Sequence, residues 1–317
     1  MRVFRGHTRP VPAPVVLAIG NFDGVHLGHA ALVKRLATVA AGLQLAPTVL
    51  SFEPHPREFF APASAPARLT PLREKLELLA ECGARQAMIC PFNAAFAALT
   101  AEEFIEQVLV NGLQVRHLII GDDFRFGRGR TGDFALLQAA GQRFGFAVEA
   151  MGSVVVDGER VSSSGVRRAL AEGDMEHAAR LLGRPYVIDG QVAHGQKLGR
   201  QLGFATANLR IKHDPPPMTG VFAVEVGGLG PQPLPGVANL GVRPTVGGVR
   251  PLLEVHLFDF NRDIYGAHIS VRFVHKLRAE QRFPNFDALK AQIAADAAAA
   301  RSFFQRRGAE GAEERRD

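Results

Sequence analysis

The chain has little with which to build cross-links or membrane anchors. Cys82 and Cys90 are its only two cysteines in 317 residues, which excludes a disulfide-rich secreted scaffold. With no secretory signal ahead of them, both read as reduced, buried thiols. Long apolar runs are missing too. The N-terminal region offers Val15 to Ile19, after Pro10, Pro12 and Pro14, too short for a signal-peptide core or a membrane span. The expectation is a cytoplasmic protein that binds no membrane. No basic stripe is interleaved with aromatics, although 37 Lys and Arg against 31 Asp and Glu leave a formal charge of +6. Such an excess suits either nucleic acid or nucleotides with several phosphates, but the arginines are spread through an Ala-, Gly- and Arg-rich chain, so much of it reads as compositional bias and no nucleic-acid partner is expected. There is no Walker loop, GxxxxGK[ST], and no HExxH, so phosphate binding or zinc chemistry of those kinds is excluded.

What is present starts with Val15 to Leu36, VVLAIGNFDGVHLGHAALVKRL. Val15 to Ile19 is a continuous apolar run rich in β-branched residues, which suits a central parallel strand, and Gly20 ends it. Leu32, Val33 and Leu36 give helical spacing, so His26 and His29 stand at or just before a helix start. The first turn of a helix leaves N–H groups unpaired and carries a partial positive charge, which makes it an anion site. Gly24 and Gly28 allow close approach. Two imidazoles there can donate hydrogen bonds to phosphate oxygens as charge builds on phosphorus. Zinc is the other reading of two histidines, but HxxH supplies only two ligands.

The rest of the first half alternates strands and helices. TVLSF, ending at Phe52, is a strand, and the PHP loop after it holds His55 at a strand's carboxyl end, either a plain loop residue or a ligand contact. Thr70 is expected to cap a helix with Pro71 in its first position and Leu72, Leu76 and Leu79 in the core. Thr100 and Glu103 form a capping-box signal. Leu118 to Ile120 is a further strand, followed by GDDFRFGRGRTGD with Asp123, Phe124 and Arg125. That loop is either a mobile basic segment or a cleft wall in which arginines approach phosphates and a phenylalanine packs on a flat ring. Ser162, Ser163 and Ser164, with Arg167 one turn later, form either a plain cap or a second anion cradle. The alternation from Val15 to Leu182 makes this half a doubly wound α/β domain.

Gly183 and Pro185 end the alternation, and the pattern changes. Tyr186 to Val192, Phe204 to Ile211, Gly220 to Val226, Gly236 to Val242, Leu252 to Phe260 and His268 to Leu277 read as six short strands without an intervening helix. A closed antiparallel barrel is expected. Asp287 to Phe304 is Ala-rich and helical. Residues 307–317 are charged and read as a disordered tail. GQVAHGQKLGRQLGFATANL carries glycines at 190, 195, 199 and 203, more than packing alone needs in a strand. Glu254 alternates with Leu253 and Val255, so its carboxylate faces away from theirs, either into solvent or into the barrel mouth.

GNFDGVHLGH, with its HxGH core from His26 to His29, resembles the phosphate-binding signature of the nucleotidylyltransferases. The chain as a whole, from Gly20 to Arg278, resembles the bifunctional bacterial riboflavin kinase/FAD synthetases. The resemblance implies a nucleotidylyltransferase-like Rossmann domain over 1–183 and a riboflavin kinase β-barrel with a C-terminal helix over 184–306. It implies that riboflavin is phosphorylated by ATP to FMN, and that FMN is then adenylylated by ATP to FAD. Gly20, Phe22, His26, His29, Ser162, Ser164 and Arg167 would hold the ATP of adenylylation, with His29 and His26 acting on its transition state. Ser164 replaces the threonine of SSTxxR and keeps the hydroxyl. His55, Asp123, Phe124 and Arg125 would lie beside the flavin, although Asp123 departs from the family pattern. In the kinase half, Gly190, His194 and Gly195 would belong to the nucleotide loop. Thr206 and Asn208 match the metal-binding positions of the PTAN box, with Ala205 in place of its proline. Both are oxygen donors that suit Mg²⁺ carried by ATP. Glu254 would be the general base on the ribityl hydroxyl. The rival is a flavin-binding regulator with dead sites, against which intact HxGH, SSSxxR, TAN and Glu254 all speak.

Overall fold

A computed structural model of the chain describes residues 1–6, 11–193, 204–211, 215–245 and 248–313. It separates into two compact units, Met1–Ser163 and Ser164–Asp317.

In the first unit β1 (Arg2–Arg5), β2 (Val15–Ile19), β3 (Ala46–Glu53), β4 (Gln86–Pro91), β5 (Val115–Gly121) and β6 (Ala147–Met151) form one sheet, ordered β1-β4-β3-β2-β5-β6. Every pairing in it is parallel. β2 is buried along its whole length, and its alternation splits the core in two. Val16 and Ala18 pack with Leu32, Val33 and Leu36 of helix α1 (Leu27–Leu43). Val15, Leu17 and Ile19 face Phe104, Ile105, Val108 and Leu109 on the other side. A strand covered on both faces has to be apolar at every position, as VVLAI is. Short helices α2 (Pro56–Phe60), α4 (Ala94–Ala97) and α5 (Ala101–Glu103) and longer α3 (Leu72–Glu81) and α6 (Phe134–Phe144) fill the connections. From Phe104 to Gly112 the chain winds as a π-helix. β7 (Val155–Val156) and β8 (Glu159–Arg160) make a small hairpin. β1 was not legible beforehand, because RVFR is a four-residue edge strand without alternation, paired with β4.

Chain order sets where a ligand belongs. From β2 the chain steps outward to β3 and β4, then returns across β2 to β5 and β6. The reversal leaves a crevice at the carboxyl ends of β2 and β5, the usual ligand position in such sheets. The segment leaving β2 there is Gly20 to His26.

The second unit opens with α7 (Ser163–Glu172) and α8 (Met175–Leu182). β9 (Val187–Ala193), β10 (Ala207–Arg210), β11 (Gly220–Gly227), β12 (Leu234–Thr245), β13 (Gly248–Leu257) and β14 (His268–Arg278) close into a barrel, ordered β10-β13-β12-β11-β14-β9. Helix α9 (Phe286–Glu313) follows. The compact units divide at Ser163, since α8 packs on β14 and the Lys276 ammonium donates to the Ala171 carbonyl. One expectation shifts. Residues 307–313, expected as a disordered tail, continue α9. A helix anchored at Ala297 and Ala300 continues past Arg307 and Gly308 to Glu313 without a new nucleus.

Candidate active sites

The turn after β2 is held by its own residues and by one distant segment. Phe22 and Val25 have φ of 51° and 39°, in the left-handed region, as does Gly24 at 84°. That strain is fixed from outside. The Asp23 carboxylate accepts from Leu69 N at 3.0 Å and Thr70 N at 3.2 Å, and Gly24 N donates to Thr70 Oγ1 at 3.1 Å. Thr70 therefore does not cap α3, whose N-cap is Pro71 without a side-chain bond; its hydroxyl serves the turn instead.

His26 is the N-cap of α1, with Nδ1 accepting from His29 N at 3.3 Å. In the neutral ring that bond leaves the proton on Nε2. The His26 and His29 rings stack at 3.7 Å between centroids. A Cβ on Gly28 would lie 3.2 Å from the His26 ring, so glycine at 28 is what lets that ring seat. Phe22 meets His29 edge-on at 5.2 Å and is itself core, and a Cβ on Gly20 would press on the Phe22 ring. Gly20 and Phe22 thus shape the turn by packing. His29 Nδ1 is buried without a partner among the described residues. Burial, followed by the charges of His26 and Lys75, holds the His29 pKa well below the ordinary imidazole value. His29 is neutral at pH 7, so it can offer a hydrogen bond without carrying charge.

The serine cluster meets this turn through one member. Ser163 Oγ donates to the Asp23 carbonyl at 2.8 Å. Ser164 and Arg167 follow on α7, and Ser162 precedes it. On the expected flavin side, His55 caps α2, its Nδ1 accepting from Arg57 N and its own N–H donating to Glu58. The PHP segment is thus a capped helix start and not only an extended loop. Asp123 is paired with Arg160 at 2.7 Å, and Arg125 with Asp133 at 3.1 Å. Phe124 stacks on Phe126, which is buried against Phe104. Phe59, Phe60 and Phe92 form an edge-to-face cluster beyond β3 and β4, with Phe60 66% exposed. That exposed apolar cluster was not anticipated.

The second unit builds its site by register. β10 and β12 flank β13, placing Asn208 and Asn239 directly across from Glu254 on either side. Directly opposed residues share a face, so three polar side chains line up across three strands. Leu253 and Val255 are fully buried inside the barrel. Glu254 therefore faces outward, not into the barrel mouth. It lines a cavity of about 320 Å³ with Thr206, Asn239, His256 and residues of α9 including Leu289, Ile293 and Asp296. Asn208 is buried, and its Nδ2 donates to the Thr206 carbonyl at 3.4 Å. The Arg278 guanidinium grips Asp296 through two bonds of 2.8 and 2.7 Å, and Gln292 adds a third. That clamp fixes α9 over the cavity. His256 donates from Nδ1 to the Ala205 carbonyl at 2.9 Å, since a carbonyl can only accept. Gly190 has a packing reason, because a Cβ there would lie 2.9 Å from Leu209 Cδ2. His194 and Gly195 lie outside the described residues.

Comparison with known proteins agrees with this division. The FAD synthetase family matches residues 8–165 and the riboflavin kinase family residues 182–304. A bifunctional riboflavin kinase/FMN adenylyltransferase of Escherichia coli (strain K12) is 52% identical over 96% of this chain and 98% of its own. The chain belongs to that bifunctional family. A Haemophilus influenzae member with the same description is 48% identical over 96% of this chain and 99% of its own. The similarity also reaches a crystal structure described as a macrolide-efflux protein from Streptococcus pneumoniae. It superposes with a TM-score of 0.78 at 27% identity, over 95% of this chain and 99% of that one. Among the described residues no helix is long and apolar enough to cross a membrane.

Sequence reading did not single out several residues that the structure brings to these two places. Asn239 and His256 lie in strands that read only as alternating, and nothing local marks them. Lys75 did carry a signal. It stands three residues after Leu72 and four before Leu79, on the stripe assigned to the core.

Proposed function

We infer that the chain runs two successive reactions. In the barrel unit the ribityl hydroxyl of riboflavin attacks the terminal phosphorus of ATP, giving FMN and ADP. In the parallel-sheet unit a phosphate oxygen of FMN attacks the α-phosphorus of a second ATP, giving FAD and pyrophosphate. The observation that carries the reading is that one chain holds two separate sites, each with the groups its step needs.

Glu254, flanked by two asparagines over the cavity, is placed to accept the hydroxyl proton as the oxygen–phosphorus bond forms. Thr206 and Asn208 are hard oxygen donors close to Glu254. They fit Mg²⁺ already held by ATP, and that ion would neutralise charge on the transferring phosphoryl group. The largely apolar cavity between barrel and α9 fits the flavin ring.

Adenylylation makes no such demand for a base, because the FMN phosphate is already an anion and pyrophosphate leaves without first gaining a proton. The work is charge stabilisation at the α-phosphorus. His26, with Nδ1 engaged, offers Nε2–H, and neutral His29 adds a second donor. Ser162, Ser164 and Arg167 are assigned to the phosphates. The exposed Phe60 cluster and Phe124 are assigned to the flavin side, with His55, Asp123 and Arg125 shaping those loops through their observed partners. The test supplies riboflavin, ATP and Mg²⁺ to the full chain and separates products by chromatography. FMN should appear first and FAD after it; absence of either removes the corresponding half of the reading.

A further inference from the structure

Lys75 is a lysine that neither reaction above uses. It is only 3% exposed and stands on the first turn of α3, its N–H donating to the Pro71 carbonyl. The residues just before that turn are latched to the phosphate-binding segment through Asp23 to Leu69 and Thr70, and Gly24 to Thr70. The start of α3 is therefore fixed against the turn that His26 caps.

The groups around Lys75 are already committed to other partners. Arg68 bonds both Glu53 and Glu58. The Asp23 carboxylate is engaged by backbone N–H groups. Among the described residues the Lys75 ammonium makes no hydrogen bond or ion pair of its own. Burial pushes its pKa down, while Asp23 and Glu53 oppose that. On a side chain only 3% exposed, an ammonium that makes no bond of its own is a ready partner for an anion that reaches it. The turn beside it is an anion site with no lysine of its own, and the charge on Lys75 is felt at His29.

We propose that Lys75 is a further substrate-binding residue of the adenylylation site, its ammonium completed by phosphate oxygens of the ATP held at the His26–His29 turn. The proposal rests on reading that turn as the ATP site. Lys75 then supplies from a distant helix the cation that a Walker loop carries within itself.

The test uses the full chain and inorganic pyrophosphate, the product that leaves this site. FAD formation from FMN is measured with rising pyrophosphate in the parent and in Lys75→Met, which keeps bulk and loses charge. A lost charge-assisted contact should weaken pyrophosphate inhibition by about tenfold or more and raise KM for ATP similarly. Riboflavin phosphorylation should stay within about twofold. An unchanged inhibition constant in a folded Lys75→Met overturns the proposal. Should that variant not fold, Lys75→Arg is expected to keep the parent constant within about threefold and Lys75→Gln to lose it. Equal behaviour of the two overturns the proposal as well. A parent chain that makes no FAD removes the ATP-site reading itself, an outcome distinct from failure of Lys75 alone.

Discussion

The two units solve phosphate chemistry with different materials. In the reading proposed above, the parallel-sheet unit concentrates its site in one turn, where Gly20 to His29 supply strained backbone, a helix start and two stacked rings. The barrel unit spreads its site over β10, β12 and β13, where Asn208, Asn239 and Glu254 meet only because the strands are in register. A site made by a turn survives as a word in the sequence. A site made by register survives only as alternation, and its members are identified once the strands are paired.

Independence of the two sites is what mutation tests most directly. The largest effect is expected at Glu254. Glu254→Gln keeps size and hydrogen bonding but cannot accept a proton, so FMN formation should fall about 10²- to 10⁴-fold. FAD formation from supplied FMN should stay within about twofold. If riboflavin is still phosphorylated at the parent rate, Glu254 is a strand residue and the register argument fails. His29→Ala should do the converse, cutting FAD formation at least about a hundredfold while FMN formation persists, the scale of one lost transition-state donor. Near-normal FAD output would remove His29 from the chemistry.

A smaller effect separates positioning from chemistry in the barrel. Arg278 and Asp296 hold α9 over the cavity, and Asp296 is 6% exposed. Arg278→Met leaves a buried carboxylate without its cation, which should destabilise the barrel unit by about 3 kcal/mol. The loosened helix should raise KM for riboflavin more than it lowers kcat. Denaturation followed through the barrel, with kinetics at high riboflavin, checks both. An unchanged KM would show that α9 does not wall the flavin site.

The fold was legible wherever periodicity was strong. β2, α1 and the six barrel strands follow from VVLAI, from the Leu32/Val33/Leu36 spacing and from short β-rich segments between turn residues. The edge strand β1 was not, since RVFR is only four residues long and its two apolar residues are adjacent, which gives no alternation. Thr70 shows a subtler failure. Threonine before Pro71 has the form of a helix cap, and only tertiary structure reveals that its hydroxyl is taken by Gly24 N, far away in sequence. Lys75 was hidden by the opposite habit, because a lysine between leucines is read as solvated. Its place on the apolar stripe was the visible signal.

The smallest expected effect tests whether burial of His29 is a property of the first unit's fold. Burial, helped by His26 and Lys75, lowers the His29 pKa in the folded chain, whereas the unfolded chain keeps a value of about 6.5. Between those two values the unfolded state binds a proton that the folded state does not, so protonation favours unfolding as pH falls. The contribution of neutral His29 is fully present above about pH 6.5 and is lost progressively as pH drops through the folded value. Every tenfold by which the fold weakens proton binding at this ring is worth about 1.4 kcal/mol. Hydrogen exchange of the α1 amides, compared at pH 7.5 and 5.5 after correction for intrinsic rates, should therefore show protection falling more in the parent than in His29→Asn, which cannot titrate there. Amides of the barrel strands serve as the internal control, since His29 belongs to the other unit. Equal pH dependence of α1 in parent and variant would mean that His29 is not held neutral by the fold, and the hydrogen-bonding role assigned to it would lose its physical basis.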